Sequence, residues 1–254
     1  MKTAAPDSLL VPPLGCVTVE LKGVSLAANG KPLLQDVSFS ADERRVGIVG
    51  RNGSGKTTLA RVLSGLVAPD AGEARIDGTD ICRDRKTALG LVGVLFQNPD
   101  RQIIFPTVEE ELAFGLRQMG LEKSDADERV AQILNRFGKA PWAKAPTHLL
   151  SQGQKQLVCL MAILSMAPRV IILDEPFSGL DIPTRMQLQR TLDRVGAQTF
   201  HISHDPHHLE HYDRILWIEA GRIEADGPAG EVLPAFTRQM TAWGASDDLS
   251  DIPV

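Results

Sequence analysis

The segment GIVGRNGSGKTT, residues 47–58, constrains the fold of this chain more than any other. It carries the pattern G-x-x-x-x-G-K-T between a β-type run, RRVGIVG, and apolar residues at helical spacing from Leu59 to Leu66. Gly53 and Gly55 allow backbone N–H groups to close around an anion, and the positive end of the following helix points at them. The pattern therefore predicts a phosphate-binding loop between a buried strand and a helix.

Two side chains complete the predicted phosphate site. Lys56 is expected to reach the β- and γ-phosphates of a nucleotide, and the Thr57 hydroxyl to ligate Mg²⁺. The alternative, a glycine-rich turn that only caps a helix, does not explain why Lys and Thr stand at this offset after a strand. The residues expected to bind nucleotide here are Gly50, Arg51, Asn52, Gly53, Ser54, Gly55, Lys56, Thr57 and Thr58.

A second element of this site is expected at the end of a neighbouring strand. The run RVIILDEP, 169–176, is apolar on both faces, which is typical of a strand buried in a parallel sheet. Asp174 would hold Mg²⁺, directly or through water, and Glu175 would polarise an attacking water. The pair favours hydrolysis over transfer to another molecule, and the alternative is an acidic turn without a chemical role.

Composition excludes several classes of function. A net charge of −5 argues against nucleic acid as a partner, because binding to its phosphate backbone needs a basic surface. The apolar runs 89–96 and 170–173 are far shorter than the ~20 residues of a membrane-spanning helix. The N-terminal residues lack the apolar core of a signal peptide, so secretion is not expected. Three widely spaced cysteines indicate free thiols in a reducing compartment.

The order of patterns along the chain predicts an α/β sheet protein interrupted by a helical lobe. Short β-type runs fill 17–49, helical patterns fill 107–136 and 154–167, and a strand, a helix, a strand and a hairpin follow. We expect a flexible N-terminal segment at 1–16 and a nucleotide-binding domain at 17–230 with its helical lobe at about 98–167. Residues 231–254 are expected to form a short helix near 231–243 and an acidic tail.

The lobe ends in LLSQGQKQL, 149–157, and here the chain resembles the ATP-binding cassette (ABC) ATPases, whose signature is LSGGQ. Leu150, Ser151, Gly153 and Gln154 match, whereas Gln152 stands where the family usually has Gly. Ser151 and Gln154 also have the spacing of a capping box at a helix N-terminus, and such a helix end is itself suited to bind phosphate. The resemblance implies that Ser151, Gly153 and Gln154 contact ATP held by a second cassette.

Three further residues match landmarks of this family in the expected order. Gln97 in VLFQNPD matches the glutamine that senses Mg²⁺ and the attacking water, Asp181 in SGLD matches the D-loop, and His204 in HISHD matches the switch histidine. The resemblance implies ATP and Mg²⁺ as cofactors, with Glu175, His204 and Gln97 in catalysis and Thr57, Gln97 and Asp174 at the metal. It also implies an α/β P-loop NTPase fold: a RecA-like mixed sheet core, an antiparallel β subdomain and an inserted α-helical signature lobe.

One feature of the family is missing. Its members usually stack adenine on an aromatic residue after the first strand, and Ala28 aligns with that position. No aromatic residue precedes Phe39, so we expect weaker base discrimination than in relatives that have the aromatic ring.

The stretch LFQNPDRQIIFPTVEEELAFG, 95–115, resembles the ATPases of energy-coupling factor (ECF) transporters, which import vitamins and transition-metal ions. The resemblance places Asn98, Pro99, Asp100, Arg101 and Gln102 near the surface that receives the membrane-embedded transmembrane component. Without the cassette, the same stretch would be an exposed loop before an acidic helix. The run LSQGQKQLVCLMAIL is most similar to biotin systems, and cobalt or nickel systems are the next choice.

This resemblance also implies the partners and the location of the chain. We expect a second cassette, with a homodimer favoured, a transmembrane coupling component and a substrate-binding component, at the cytoplasmic face of the inner membrane as a peripheral subunit. The alternatives are the ATPase of another ABC transporter class or a non-transport ABC ATPase. DNA-repair relatives would need a long coiled coil or zinc elements, and translation-associated relatives would carry two cassettes.

The histidines of HISHDPHHLEHY, 201–212, invite a different interpretation, a metal site. Once His204 is assigned to the γ-phosphate, His207, His208 and His211 remain on a short helix after Asp205-Pro206. A solvated helix face explains these three better than a metal site does.

Overall fold

The computed structural model describes residues 17–246 of the chain. The predicted flexible segment 1–16 and acidic tail 247–254 lie outside the described residues. Within residues 17–246, ten strands are formed: β1 Val19–Ala28, β2 Lys31–Ala41, β3 Arg45–Val49, β4 Ala71–Ile76, β5 Thr79–Asp80, β6 Val92–Leu95, β7 Val170–Asp174, β8 Gln198–Ile202, β9 Arg214–Glu219 and β10 Arg222–Gly227. Seven α-helices join them: α1 Lys56–Leu63, α2 Arg85–Leu91, α3 Val108–Gln118, α4 Lys123–Arg136, α5 Gln152–Ser165, α6 Ile182–Asp193 and α7 Ala229–Ser246.

The central sheet has the strand order β10-β9-β3-β8-β7-β6. All neighbouring pairs are parallel except β9 with β10, so the sheet is mixed, as predicted. Every residue of β7 and of β8 is buried, because layers of the fold cover both faces of these strands. Because β3, β6, β7 and β8 run parallel to one another, the loops that follow them leave from the same edge of the sheet.

A second sheet, with the order β2-β1-β4-β5, is antiparallel and forms the predicted β subdomain. Its buried face packs against the central sheet and α1, and Phe39 of β2 contacts Phe200 of β8 with ring centroids 6.2 Å apart. Arg214 at the start of β9 also ties the two sheets together, since its guanidinium donates to the Ser40 carbonyl at 2.7 Å. This packing fixes the position of β1 and β2 beside the phosphate loop.

The helical lobe consists of α3, α4 and α5, and these helices share one buried apolar cluster with β7. Residues on all sides of the middle of α5 are buried, which explains why its sequence is apolar rather than amphipathic. A capping box between Thr107 and Glu110 begins α3, and the Thr147 hydroxyl donates to the Phe105 carbonyl at 2.7 Å. The predicted insertion of a helical lobe into the sheet protein is confirmed.

The C-terminal helix differs from the expectation. Helix α7 runs from Ala229 to Ser246, 18 residues, whereas the sequence indicated a short helix near 231–243. Its apolar side packs on β9, where the Trp217 and Phe236 rings meet edge to face at 5.4 Å. Ala229, the first residue of the helix, is buried in the same apolar cluster, so the helix begins two residues earlier than expected. Within 17–246, no helix has both the length and the apolar character needed to cross a membrane.

Candidate functional site

A cleft of about 450 Å³ opens at the edge of the central sheet where β3, β6, β7 and β8 end. It brings together ten residues that the sequence predicted for the site, together with Leu33 and Ile202, which it did not. The lining residues are Leu33, Asn52, Gly53, Gly55, Lys56, Thr57, Thr58, Gln97, Asp174, Glu175, Ile202 and His204. Their convergence follows from the parallel pairing, since ligands of such sheets collect at the carboxyl ends of the strands.

The phosphate loop, residues 50–57, wraps around the side chain of its own lysine. Lys56 Nζ donates to the carbonyls of Gly50 at 2.8 Å and Arg51 at 2.7 Å. Gly55 has φ +112°, and a Cβ at this position would lie 2.8 Å from the Leu33 carbonyl, so only glycine fits here. Lys56 is the first residue of α1, which directs the N-terminal N–H groups of the helix into the cleft.

Three residues of the predicted phosphate loop do not line the cleft itself. Gly50 and Arg51 contribute the carbonyls that hold Lys56, and the Ser54 side chain is buried under the loop. Burial lowers the pKa of Lys56, although Glu175 and Asp174 oppose this shift by their charge. A polyphosphate at this loop would supply the negative charge that a desolvated ammonium lacks.

Thr57 and Asp174 place two oxygen donors side by side. Thr57 Oγ1 lies 3.5 Å from Asp174 Oδ1. Burial raises the pKa of Asp174, and the neighbouring Glu175 adds to this shift, whereas the bond from Thr57 and the charge of Lys56 oppose it. Hydroxyl and carboxylate oxygens are ligands that Mg²⁺ prefers, so the donor set fits this ion.

Glu175 follows β7 directly and is held in an uncommon backbone conformation. Its φ is +51°, in the left-handed region that non-glycine residues seldom occupy, and its N–H donates to the Ile202 carbonyl at the end of β8. Glu175 Oε2 lies 2.6 Å from His204 Nδ1. The His204 side chain remains 65% exposed while that of Glu175 is 14% exposed, so the pair presents an imidazole to the open side of the cleft. Backbone strain of this kind is often found at catalytic positions.

Gln97 lies in the loop after β6 and reaches the loop after β7. Its Nε2 donates to Ser178 Oγ at 3.2 Å. Asn98 follows it and caps the short helical turn Pro99–Arg101, since its side chain accepts from the Asp100 N–H at 2.9 Å. The amide of Gln97 therefore faces the cleft from the start of the helical lobe.

The signature residues Ser151, Gly153 and Gln154 and the D-loop residue Asp181 lie outside the cleft of their own chain. Ser151 and Gln154 form the predicted capping box, with Gln154 Oε1 accepting from the Ser151 N–H at 2.8 Å. Asp181 caps α6 by accepting from the Thr184 N–H at 2.8 Å. A Cβ on Gly153 would lie 2.2 Å from the Thr184 side chain, so the first turns of α5 and α6 touch.

The histidine-rich segment does not form the solvated helix face that the sequence indicated. Pro206–Leu209 is a single 3-10 turn, and within residues 17–246 no group of three His, Cys, Asp or Glu side chains is arranged to hold a metal. His207 is exposed and lies 2.7 Å from Glu210, but His208 is half-buried against Phe177. The expectation of a solvated face was wrong for His208, because tertiary packing with the loop after β7 covers it.

His201, which carried no functional prediction, is buried in β8. Its Nδ1 lies 2.8 Å from the Tyr212 hydroxyl, and its ring stacks on that of His208 at 6.4 Å. Burial lowers the pKa of His201 to about 3, so its imidazole is neutral at physiological pH. The sequence alone does not predict that His201 is buried and neutral, because its Tyr212 partner and the enclosing strands are brought to it by the fold.

Comparisons with known proteins agree with this geometry. A family model described as ABC transporter matches residues 34–178. The biotin transport ATP-binding protein BioM of Rhodobacter capsulatus is 47% identical, with 88% of this chain and 96% of that protein covered. The energy-coupling factor transporter ATP-binding protein EcfA of Methanothermobacter thermautotrophicus is 34% identical, with 85% and 72% covered.

Among solved structures, cbiO1 of Clostridium perfringens, described as part of the ABC transporter complex cbiONQ, superposes with a TM-score of 0.74. It is 27% identical, and the match covers 90% of this chain and 95% of that one. The predicted cassette fold is thereby confirmed. The family match, the similar proteins and the geometry of the cleft together show that this chain belongs to the ABC transporter family as an ATP-hydrolysing ATP-binding subunit.

Proposed function

We propose that this chain hydrolyses Mg²⁺-bound ATP to drive an ECF-type importer, with biotin as the favoured cargo. The observation that carries the proposal is the grouping of Lys56, Thr57 and Asp174 with the Glu175–His204 pair in one cleft. The signature residues lie outside this cleft, and we propose that they complete the site of a second chain.

Nucleotide binding would use groups that the phosphate loop already presents. Backbone N–H groups of the loop and the first turn of α1 surround the β- and γ-phosphates, and Lys56 exchanges the Gly50 and Arg51 carbonyls for phosphate oxygens. Mg²⁺ held by Thr57 and Asp174 would neutralise charge on the phosphates.

Glu175 is proposed to act on the attacking water. Its carboxylate accepts the water proton while His204, 2.6 Å away, fixes the orientation of that carboxylate and reaches toward the γ-phosphate. Gln97 enters the cleft from the start of the helical lobe and would couple the position of that lobe to the positions of the metal and the water. The γ-phosphate leaves as inorganic phosphate, and ADP remains on the loop.

Two cassettes are proposed to close head to tail, as a homodimer with two equivalent sites. Ser151, Gly153 and Gln154 of one chain would then contact the γ-phosphate held by the other, and Asp181 would lie at the same junction. ATP favours the closed dimer because only there does it contact both chains. Gln152 is exposed at the first residue of α5, so its side chain would project into the junction.

A groove of about 420 Å³ is the proposed docking surface for the transmembrane component. It lies between the core, at α2 and β6, and the lobe, at α3 and α5. Among the large apolar residues exposed on it are Ile104 at 64%, Leu66 at 52% and Phe114 at 38%. An apolar groove of this kind suits the apolar face of a partner helix.

The proposed docking groove coincides only in part with the residues that the sequence predicted for docking. Gln102 lines it and fixes the loop before it, since Gln102 Oε1 accepts from the Phe96 N–H at 3.1 Å. Pro99 is buried, and Asp100 forms an ion pair with Lys155 at 2.7 Å. We therefore propose that Asn98–Arg101 shape the groove while Gln102, Ile104 and Phe114 face the partner.

We infer the transported cargo and the location of this chain from the proteins to which it is similar. The Rhodobacter capsulatus relative is named for biotin transport, and cbiO1, named as part of cbiONQ, supports the metal-ion alternative at lower identity. The chain would bind the transmembrane and substrate-binding components as a peripheral subunit at the cytoplasmic face of the inner membrane. Copurification of those components, followed by biotin uptake measurements in vesicles, tests this; cobalt or nickel uptake without biotin uptake would contradict it.

The first prediction concerns Glu175. Glu175→Gln removes the proton acceptor but keeps the shape of the side chain, so ATP should still bind while turnover falls by about 100-fold or more. Phosphate release and nucleotide binding measure the two effects separately. Glu210→Gln, on an exposed side chain outside the cleft, is the matched control and should behave as wild type. Near-normal hydrolysis by Glu175→Gln would remove Glu175 from its assigned role.

The second prediction concerns the base. Ala28 is exposed at the end of β1, and Phe39 is buried against Phe200, so neither offers a ring to adenine. Stacking on an aromatic side chain contributes ~1–3 kcal/mol per base in other nucleic-acid binders. Without it the phosphates dominate binding, and kcat/KM for ATP and GTP should be similar. A strong ATP preference would refute this.

Adding an aromatic ring at position 28 should have the opposite effect on nucleotide binding. Ala28→Tyr should tighten ATP binding, measured by competition with a fluorescent nucleotide. Ala27→Tyr is the control, because neighbouring residues of a strand point to opposite faces. Equal effects of the two substitutions would show that Ala28 does not face the base.

The third prediction concerns the docking groove. Ile104→Asp places a charge in the apolar groove and should abolish copurification with the membrane components while the isolated chain keeps its ATP affinity. Met186→Asp is the control, on an apolar residue that is similarly exposed, at 54%, but lies outside the groove. Retention of the complex by Ile104→Asp would place the docking surface elsewhere.

A further inference from the structure

Helix α7 follows the last hairpin, and one of its faces continues past the core toward the phosphate loop. Leu233, Phe236, Met240 and Trp243 recur at intervals of three and four, so they lie on the same face. Leu233 and Phe236 are buried with Val49, the last residue before the phosphate loop, and Met240 and Trp243 pack at the margin of this cluster. The helix is thus anchored on the strand that leads into the loop.

At its far end α7 contacts the loop itself. The Arg51 guanidinium carbon lies 5.0 Å from the centre of the Trp243 ring, within the range of a cation–π interaction. Arg51 is exposed and Trp243 is half-buried, so a ring that is packed against the core lies beside the Arg51 guanidinium. A segment outside the matched family region, 34–178, therefore touches the ATP site.

Arg51, whose side chain stacks on Trp243, also binds the phosphate-loop lysine, Lys56, through its backbone. The Arg51 carbonyl accepts from Lys56 Nζ at 2.7 Å and from the Ser54 N–H at 3.2 Å. Holding the Arg51 side chain restricts the backbone to which both groups are bonded. A loop that is already ordered loses less entropy when phosphate binds, and this favours binding.

We propose that Trp243 is a positioning residue for the phosphate loop, which acts through Arg51 to keep the loop ordered for ATP. The proposal rests on the assignment of residues 50–57 as the ATP site. Trp243 touches neither the cleft lining nor the Glu175–His204 pair, so its effect falls on nucleotide affinity rather than on the chemical step.

The test separates KM from kcat in steady-state ATP hydrolysis. Trp243→Ala should raise KM for ATP about two- to fivefold, the range expected for an exposed cation–π contact, with kcat nearly unchanged. Trp243→Phe keeps a ring for the guanidinium and should restore most of the affinity. Met240→Ala is the matched control, since it removes packing from the same face of α7 without touching Arg51, and it should leave KM unchanged.

A double-mutant cycle shows whether the effect passes through Arg51. Arg51→Ala with Trp243→Ala should be no worse than Arg51→Ala alone, because the contact is already lost in the single variant. A nucleotide-dependent change in tryptophan fluorescence should persist in Trp142→Phe and vanish in Trp243→Phe.

Several outcomes would overturn the proposal. They are a wild-type KM in Trp243→Ala, an equal rise in Met240→Ala, or fully additive effects in the double variant. Thermal unfolding of each variant shows whether it is folded. A wild-type chain that binds no ATP would instead refute the assignment of the loop, so the two failures are distinguishable.

Discussion

Parallel pairing of β3 with β8, β8 with β7 and β7 with β6 is the constraint on which the rest of this structure depends. It sends four loops from one edge of the sheet, and each loop carries one part of the site. The phosphate loop, Gln97, Glu175 and His204 are far apart in sequence, and only this register places them around one cleft. The fully buried sequences of β7 and β8 are what hold these strands in the middle of the sheet.

The cleft gathers charges that burial disfavours. The pKa of Lys56 is lowered and that of Asp174 is raised by desolvation, so both groups lack full compensation within a single chain. Phosphates and a divalent cation would supply it, and the signature residues would come from a second copy. In that arrangement ATP would link the two chains, and its hydrolysis would allow them to separate.

The parts of the site that sequence predicts well are those encoded within a few residues. The phosphate loop and the Ser151–Gln154 capping box each depend on local spacing, and the structure places both as expected. The features that sequence missed depend on distant partners. His208 is covered by Phe177, Ala229 at the start of α7 is buried in a cluster with Val49, and Trp243 contacts Arg51 across nearly two hundred residues. No local pattern reports such contacts, because the fold creates them.

Whether two chains share each ATP site can be measured by mixing two inactive variants. Lys56→Ala disables the loop, and Ser151→Arg blocks the signature face, so each homodimer should be inactive. A mixed dimer retains one site in which the intact Lys56 of one chain faces the intact Ser151 of the other. Mixing the two variants should therefore restore ATP hydrolysis. Activity in the Ser151→Arg homodimer, or no recovery on mixing, would contradict a shared site.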